Sequence, residues 1–291
     1  MSFIVNLKQK INEYFELIKF EHTIFALPFA MSGMLLAKLE GFPAVITFVW
    51  VILAMVGGRT AAMALNRVID VNIDRLNPRT SNRAIPAGRI RALSGTILAM
   101  IGFALMIFAV WHLPLICKQL LPLAVLILVI YSYTKRFTNL SHLVLGGALG
   151  AAASGGWLAV SGEFTLPVVL WGLAIVFWVG GFDIIYALQD MDFDRKAKLF
   201  SIPASFGIKN SLLISRIFHI ITIALLLLLG IIYPTGLFFW VGIVFIAGML
   251  VYEHLLIKDN DLSKVNEAFF NANGLISTGF MLFVILDKIK I

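Results

Sequence analysis

Apolar runs long enough to cross a bilayer recur along the whole chain, and few folds accept them. A hydrocarbon core asks for about 20 apolar residues per helix. Inside it every backbone donor and acceptor must be satisfied within the protein, which leaves helices or closed barrels. Barrel strands would alternate over about ten residues, whereas here the runs are continuous, as in PAVITFVWVILAMVGG over 43–58. Charged residues make up 13% of the 291, against about 25% in a soluble domain. The chain therefore reads as an all-α, polytopic membrane protein.

About nine transmembrane helices are expected, over 20–39, 43–65, 92–112, 119–134, 142–160, 165–188, 211–230, 235–255 and 270–287. The fifth (LVLGGALGAAASGGWLAV) is rich in small residues that permit close helix approach. Residues 1–19 are mixed and charged, unlike a cleavable signal, and read as an interfacial helix before the first span. No linker or separate soluble unit is visible, so 1–291 reads as a single domain. The lone Cys117 excludes an intrachain disulfide and a multi-cysteine metal site.

Basic residues set the expected orientation. With the N-terminus cytoplasmic, the inner segments carry every loop lysine and arginine except Lys38, Lys118, Lys288 and Lys290. The net charge of +7 is then explained by loops facing anionic lipid, and no nucleic-acid partner is expected. The same topology puts the two longest polar loops, after spans 2 and 6, on one face. Each carries a carboxylate cluster.

Asn66, Asp70 and Asp74 are spaced i, i+4, i+8, so as a continuation of helix 2 they share a face, rising about 6 Å per step. Asp190 and Asp194 repeat the spacing after helix 6. Carboxylates so placed repel unless a cation lies between them. Mg²⁺ suits the donors, since it takes oxygen ligands and prefers one or two carboxylates plus substrate phosphate. Asn66, Asp70, Asp74, Asp190 and Asp194 are the expected metal set, holding two ions on one diphosphate. Cations for that diphosphate are expected from Arg79, Arg83 and Lys135, the last four residues after Tyr131. The other loop arginines, Arg136 among them, are assigned to topology. Arg59 lies inside span 2, about 10 Å deeper than Asn66, where a lone arginine is a functional candidate by default. A small-molecule carboxylate in the cavity would partner it. Asp183 and Tyr186, at the end of span 6, are expected to contact substrate, Asp183 by orienting a hydroxyl or helping to anchor metal. Arg216, His219, Glu253 and His254 read as snorkelling anchors.

The set NxxxDxxxD (Asn66, Asp70, Asp74), YxxxK (Tyr131, Lys135) and DxxxD (Asp190, Asp194) resembles the UbiA superfamily of intramembrane aromatic prenyltransferases over essentially the whole chain. The resemblance implies a bundle around a central cavity open laterally to lipid, Mg²⁺ as cofactor, a polyprenyl diphosphate donor and an aromatic acceptor. Asp70, Asp74, Asp190, Asp194 and Lys135 would be catalytic. Arg59 would hold the acceptor carboxylate, and Asn66, Arg79, Arg83, Tyr131, Asp183 and Tyr186 would bind substrate. Where many relatives of the ubiquinone branch read RPLP, this chain reads RAIPAG over 83–88. The acceptor is thus expected to be 4-hydroxybenzoate or, for menaquinone, 1,4-dihydroxy-6-naphthoate. The reaction would be electrophilic aromatic substitution in quinone biosynthesis, at the inner (cytoplasmic) membrane. A transporter is disfavoured, because its charges would spread along the spans instead of gathering at one face.

Overall fold

The computed structural model describes residue 10 and residues 12–19, 23–259 and 261–289. No strand forms among them, only an isolated bridge between Lys258 and Asp261. The long helices are α1 (Thr23–Ala37), α2 (Val45–Ile69), α3 (Ala92–Trp111), α4 (Leu115–Thr134), α5 (Ser141–Ser161), α6 (Leu166–Ala187), α7 (Ile202–Ile232), α8 (Leu237–Leu256) and α9 (Asn273–Ile289). These correspond in order to the nine expected spans, and all but α1 are long and apolar enough to cross a bilayer, α9 together with the helical turns that lead into it from Val265. In α1 the apolar part, Leu27–Ala37, is shorter, and residues 20–22 of that expected span lie outside the described residues. So do 1–9 and 11 of the expected interfacial helix; 12–18 are helical.

Two boundaries differ instructively. Helix α7 starts at Ile202, well before the expected 211, and bends at Gly207, whose φ of 76° and ψ of 174° are non-helical. The apolar count missed this first turn because Lys209 and Asn210 interrupt it. Its start is fixed by Ser201, whose hydroxyl accepts the Ala204 N–H at 3.2 Å. Helix α9 begins at Asn273, after a π-helical turn over Ala268–Ala272. Asn273 Nδ2 lies 3.2 Å from the carbonyls of both Ala268 and Phe269, satisfying acceptors that the wide turn leaves open.

Helix α6 is the most enclosed of the spans, with 72% of its apolar window buried, and its tryptophans anchor the core. Trp178 packs on Phe29 of α1 with ring centroids 4.6 Å apart, and Trp171 stacks with Phe280 of α9. Small residues set the spacing elsewhere. A β-carbon on Gly102 of α3 would lie 2.6 Å from Ala61 N and 2.7 Å from Gly57 O of α2, so only glycine allows that crossing. The small-residue face of α5 does the same work: Gly156 lies against the Ala30 carbonyl of α1, and Gly150 against the Gly172 carbonyl of α6.

The snorkelling assignment fails for part of its set. Glu253 and His219 are fully or almost fully buried. Asn273 donates to Glu253 Oε1 at 2.8 Å, and His219 Nδ1 meets His254 Nε2 at 2.9 Å. This polar seam ties α7, α8 and α9 together inside the bundle, where lone polar groups would be costly.

Candidate active site

Helix α2 does not stop cleanly at its polar end. Asp70 leaves helical geometry (φ −93°, ψ 8°) and a short helix, Val71–Leu76, follows. The i to i−4 ladder nevertheless runs through the break: Asp70 N–H to Asn66 O at 2.9 Å, then Asp74 N–H to Asp70 O at 2.8 Å. Asn66, Asp70 and Asp74 therefore keep one face. Below α6 the chain tightens into a 3₁₀ turn, Leu188–Asp190, before the helix Met191–Lys196. The loop after Leu76 folds on its own side chains. Asn77 Oδ1 accepts the Arg79 N–H at 2.9 Å, and Thr80 donates to the Asp74 carbonyl at 3.1 Å.

That loop brings the two clusters together. Asn77 Nδ2 donates to Asp190 Oδ1 at 3.0 Å. Arg79 closes a two-pronged fork on the same carboxylate, Nε to Oδ1 at 2.8 Å and Nη2 to Oδ2, the strong geometry for guanidinium with carboxylate. Arg79 also reaches the Tyr186 hydroxyl at 3.2 Å. Every acid of the two clusters faces its own cation. Arg83 Nη1 sits 2.8 and 2.9 Å from the two oxygens of Asp74. Arg136 donates to Asp70 Oδ1 at 3.1 Å, and the Lys135 ammonium stands 3.6 Å from Asp194. Arg136, assigned from sequence to topology, thus belongs to the mouth. Burial pushes the Asp70 carboxyl above its ordinary range, and the Arg136 hydrogen bond opposes the shift.

Below the mouth opens a cavity of about 240 Å³. All the residues singled out from sequence line it: Arg59, Asn66, Asp70, Asp74, Arg79, Arg83, Tyr131, Lys135, Asp183, Tyr186, Asp190 and Asp194. Its apolar wall includes Leu145, Leu149, Val179, Phe182 and Phe269. Tyr186 and Phe269 pack with centroids 4.2 Å apart. Arg59 donates to the Lys19 carbonyl at 3.1 Å. Other polar lining residues were given no role at the site from sequence, among them Asn77, Arg67, Ser132 and Ser141. Asn77 and Arg67 belong to no spaced motif. Ser132 and Ser141 bring hydroxyls that are buried and make no hydrogen bond among the described residues.

The donors fit magnesium. They are oxygens, and the buried Oδ2 of Asp194 accepts no hydrogen bond. Among the described residues no three acidic, histidine or cysteine side chains converge closely enough to hold an ion alone. A cation here would need ligand oxygens to complete its shell, as Mg²⁺ at phosphate sites does.

Residues 26–275 match the UbiA prenyltransferase family. The chain belongs to that family. Among named UbiA relatives is the 4-hydroxybenzoate octaprenyltransferase of Janthinobacterium sp. (strain Marseille), 32% identical over 151 residues. That alignment covers 51% of this chain and 52% of the relative, so the chain spans about half the length of this curated relative. The apo structure of a UbiA homolog from Aeropyrum pernix K1 superposes with a TM-score of 0.83 at 34% identity, covering 92% of this chain and 98% of that one. A UbiA homolog from Archaeoglobus fulgidus bound to DMAPP and Mg²⁺ superposes at 0.78 with 18% identity, over 96% and 100% of the chains, and speaks for the fold alone.

Proposed function

We propose that this UbiA-family chain transfers a polyprenyl group from polyprenyl diphosphate to a hydroxyaromatic carboxylic acid such as 4-hydroxybenzoate, in quinone biosynthesis. One observation carries the reading: two carboxylate clusters from distant helices meet at one mouth, over a chamber that holds a deep arginine. The names of its relatives, and the diphosphate and magnesium held by a protein of the same fold, support it. We read residues 1–291 as one transferase domain, in the cytoplasmic (inner) membrane of a bacterial cell, with the N-terminus and the acidic mouth on the cytoplasmic side.

Asp70, Asp74, Asp190 and Asp194, with Asn66, would hold Mg²⁺. When bound, the metal neutralises charge on the departing diphosphate. The chain's own groups do the rest. Arg79, Arg83, Lys135 and Arg136, which pair with these acids, would offer their heads to phosphate oxygens, stabilising charge as it develops. The unpartnered hydroxyls of Ser132 and Ser141 point to the same task. Tyr131 and Tyr186 flank the path of the diphosphate. Arg59 exchanges the Lys19 carbonyl for the acceptor carboxylate, which turns the ring carbon beside the hydroxyl toward the allylic carbon. The apolar wall keeps water from the allylic cation.

The test is to incubate membranes carrying the protein with Mg²⁺ and labelled polyprenyl diphosphate. 4-Hydroxybenzoate is supplied in one arm and 1,4-dihydroxy-6-naphthoate in the other, and products are identified by mass. A prenylated 4-hydroxybenzoate is expected. Product in the naphthoate arm alone would move the chain to the menaquinone branch, and product in neither would overturn the reading.

A further inference from the structure

We propose that Asp183 and His142 form a proton-accepting pair in the cavity wall. Asp183 takes the ring proton that the aromatic acceptor loses, and His142 is its positioning residue. This deepens the transferase reading above and rests on it.

His142 lies at the start of α5 with no exposed surface. Its Nδ1 is 2.7 Å from Asp183 Oδ2 on α6. Its Nε2 faces the backbone N–H of Ile202, the first residue of α7, at 3.3 Å. That second contact decides the tautomer. A backbone N–H can only donate, so Nε2 must be the accepting nitrogen, and a neutral imidazole then carries its one proton on Nδ1. Nδ1–H therefore donates to Asp183. This fixes the rotation of the carboxylate, while Asp183 still lines the cavity with its side chain about one-fifth exposed.

Asp183 differs from the other acids of the cavity wall. Asp70, Asp74, Asp190 and Asp194 each meet a lysine or arginine. Among the described residues, no lysine or arginine forms an ion pair with Asp183. It also lies seven residues before Asp190, about 10 Å below the mouth along α6, on the level expected for a ring held by Arg59. Tyr131 of α4 also lies close enough to Asp183 to interact with it electrostatically.

The chemistry needs such a group. The allylic C–O bond breaks with its electron pair going to diphosphate, and a ring π pair forms the new C–C bond. The ring C–H bond then breaks, its electrons restore aromaticity, and the proton passes to Asp183, from which it reaches water at the mouth. A hydroxyl proton can exchange with solvent unaided. A ring C–H makes no such exchange, so its proton must go to a base already in contact.

The test uses the full-length protein in membranes, with 4-hydroxybenzoate carrying hydrogen or deuterium at both carbons beside the hydroxyl. Asp183→Asn should lower kcat by about 10²–10⁴ and His142→Gln by about tenfold or more. Both should keep Mg²⁺-dependent binding of labelled donor. In both, deuterium should slow turnover at least twofold, where the unaltered enzyme shows little effect. His142→Asn, whose amide nitrogen falls near the place of Nδ1, should recover kcat to within a few-fold and lose the isotope effect. An isotope effect near one in both Asp183→Asn and His142→Gln, or an Asn variant no better than Gln, overturns the proposal. So does loss of donor binding in both histidine variants, which would leave His142 a structural tie between α5 and α7. Absence of product from the unaltered enzyme sinks the transferase reading and this pair with it.

Discussion

The acids after α2 and those after α6 share a spacing but live in different surroundings. Asp190 is gripped on both oxygens by Arg79 and touched again by Asn77, all from the loop of the other cluster. Asp74 is held on both oxygens by one nitrogen of its near neighbour Arg83. Asp70 also has a donor on each oxygen, Asn66 on Oδ2 at 2.8 Å and Arg136 on Oδ1 at 3.1 Å, whereas the Lys135 ammonium stands 3.6 Å from Asp194, whose Oδ2 accepts no hydrogen bond among the described residues. The α6 cluster thus pairs one clamped acid with one lightly held acid, while both acids after α2 are held on both oxygens. The clamped acid of the α6 cluster is also the joint between the two loops. A buried carboxylate already satisfied gives up more to reach a metal than one left short of partners, so Asp194 should engage cation with less rearrangement than Asp190.

The most severe test of that contrast removes the acids. Asp70→Ala and Asp190→Ala should each reduce transfer by about 10³-fold or more, as loss of a group acting directly on transition-state charge does. Radiolabelled product formed in Mg²⁺-supplied membranes is the measure, and undiminished product from either variant counts against the metal assignment. Arg79→Ala should come next. It frees Asp190 but unties the loops, so kcat/KM for the donor should drop about 10²-fold, and Arg79→Lys should recover little because an ammonium offers no fork. Should lysine restore full activity, the joint matters only for its charge.

Arg59 lies away from both clusters, and its replacement separates mouth from chamber. Arg59→Ala should raise KM for the aromatic acid about 10–100-fold while Mg²⁺-dependent donor binding, followed by filtration, stays unchanged. A fall in donor binding would place Arg59 with the diphosphate instead. The smallest expected effect concerns pH. Asp70 is raised above the ordinary carboxylate range by burial, and Arg136 holds it down. Its charged form should therefore be lost, as pH falls, at a higher pH than for a free aspartate. Arg136→Ala should move the acid limb of the rate profile upward. A downward move would reverse the sign assigned to that contact.

What could be read from sequence was whatever repeats. Apolar runs gave the nine helices in order, since bilayer thickness fixes their length. The i, i+4 spacing gave the two acidic faces, because hydrogen bonding carries helical periodicity across the break at Asp70. Residues that act singly left no such trace. His142 in LSHLVLGG looks like any core histidine until α6 and α7 arrive on either side of it. Asn77 acts through a turn of its own making, and Ser132 and Ser141 stand out only because no described residue fills their hydrogen-bonding needs. Glu253 and His219 were misplaced at the surface because their distance from a span's end was read without knowing that Asn273 of α9 would meet Glu253 and that His219 would lie against Gly181 of α6. Helix α7 began early because Gly207 lets a polar first turn lie at an angle to the apolar stretch beyond it.

The one-to-one matching of cations and acids at the mouth has a consequence for the order of events. Magnesium arriving alone would evict four positive heads with nowhere to turn, and diphosphate arriving alone would strip the acids of their counterions. On the proposed reading, only joint arrival would exchange partners without stranding either set, so the vestibule would work as a coincidence gate: the isoprenoid would be committed to ionise only when metal and phosphate are both aboard.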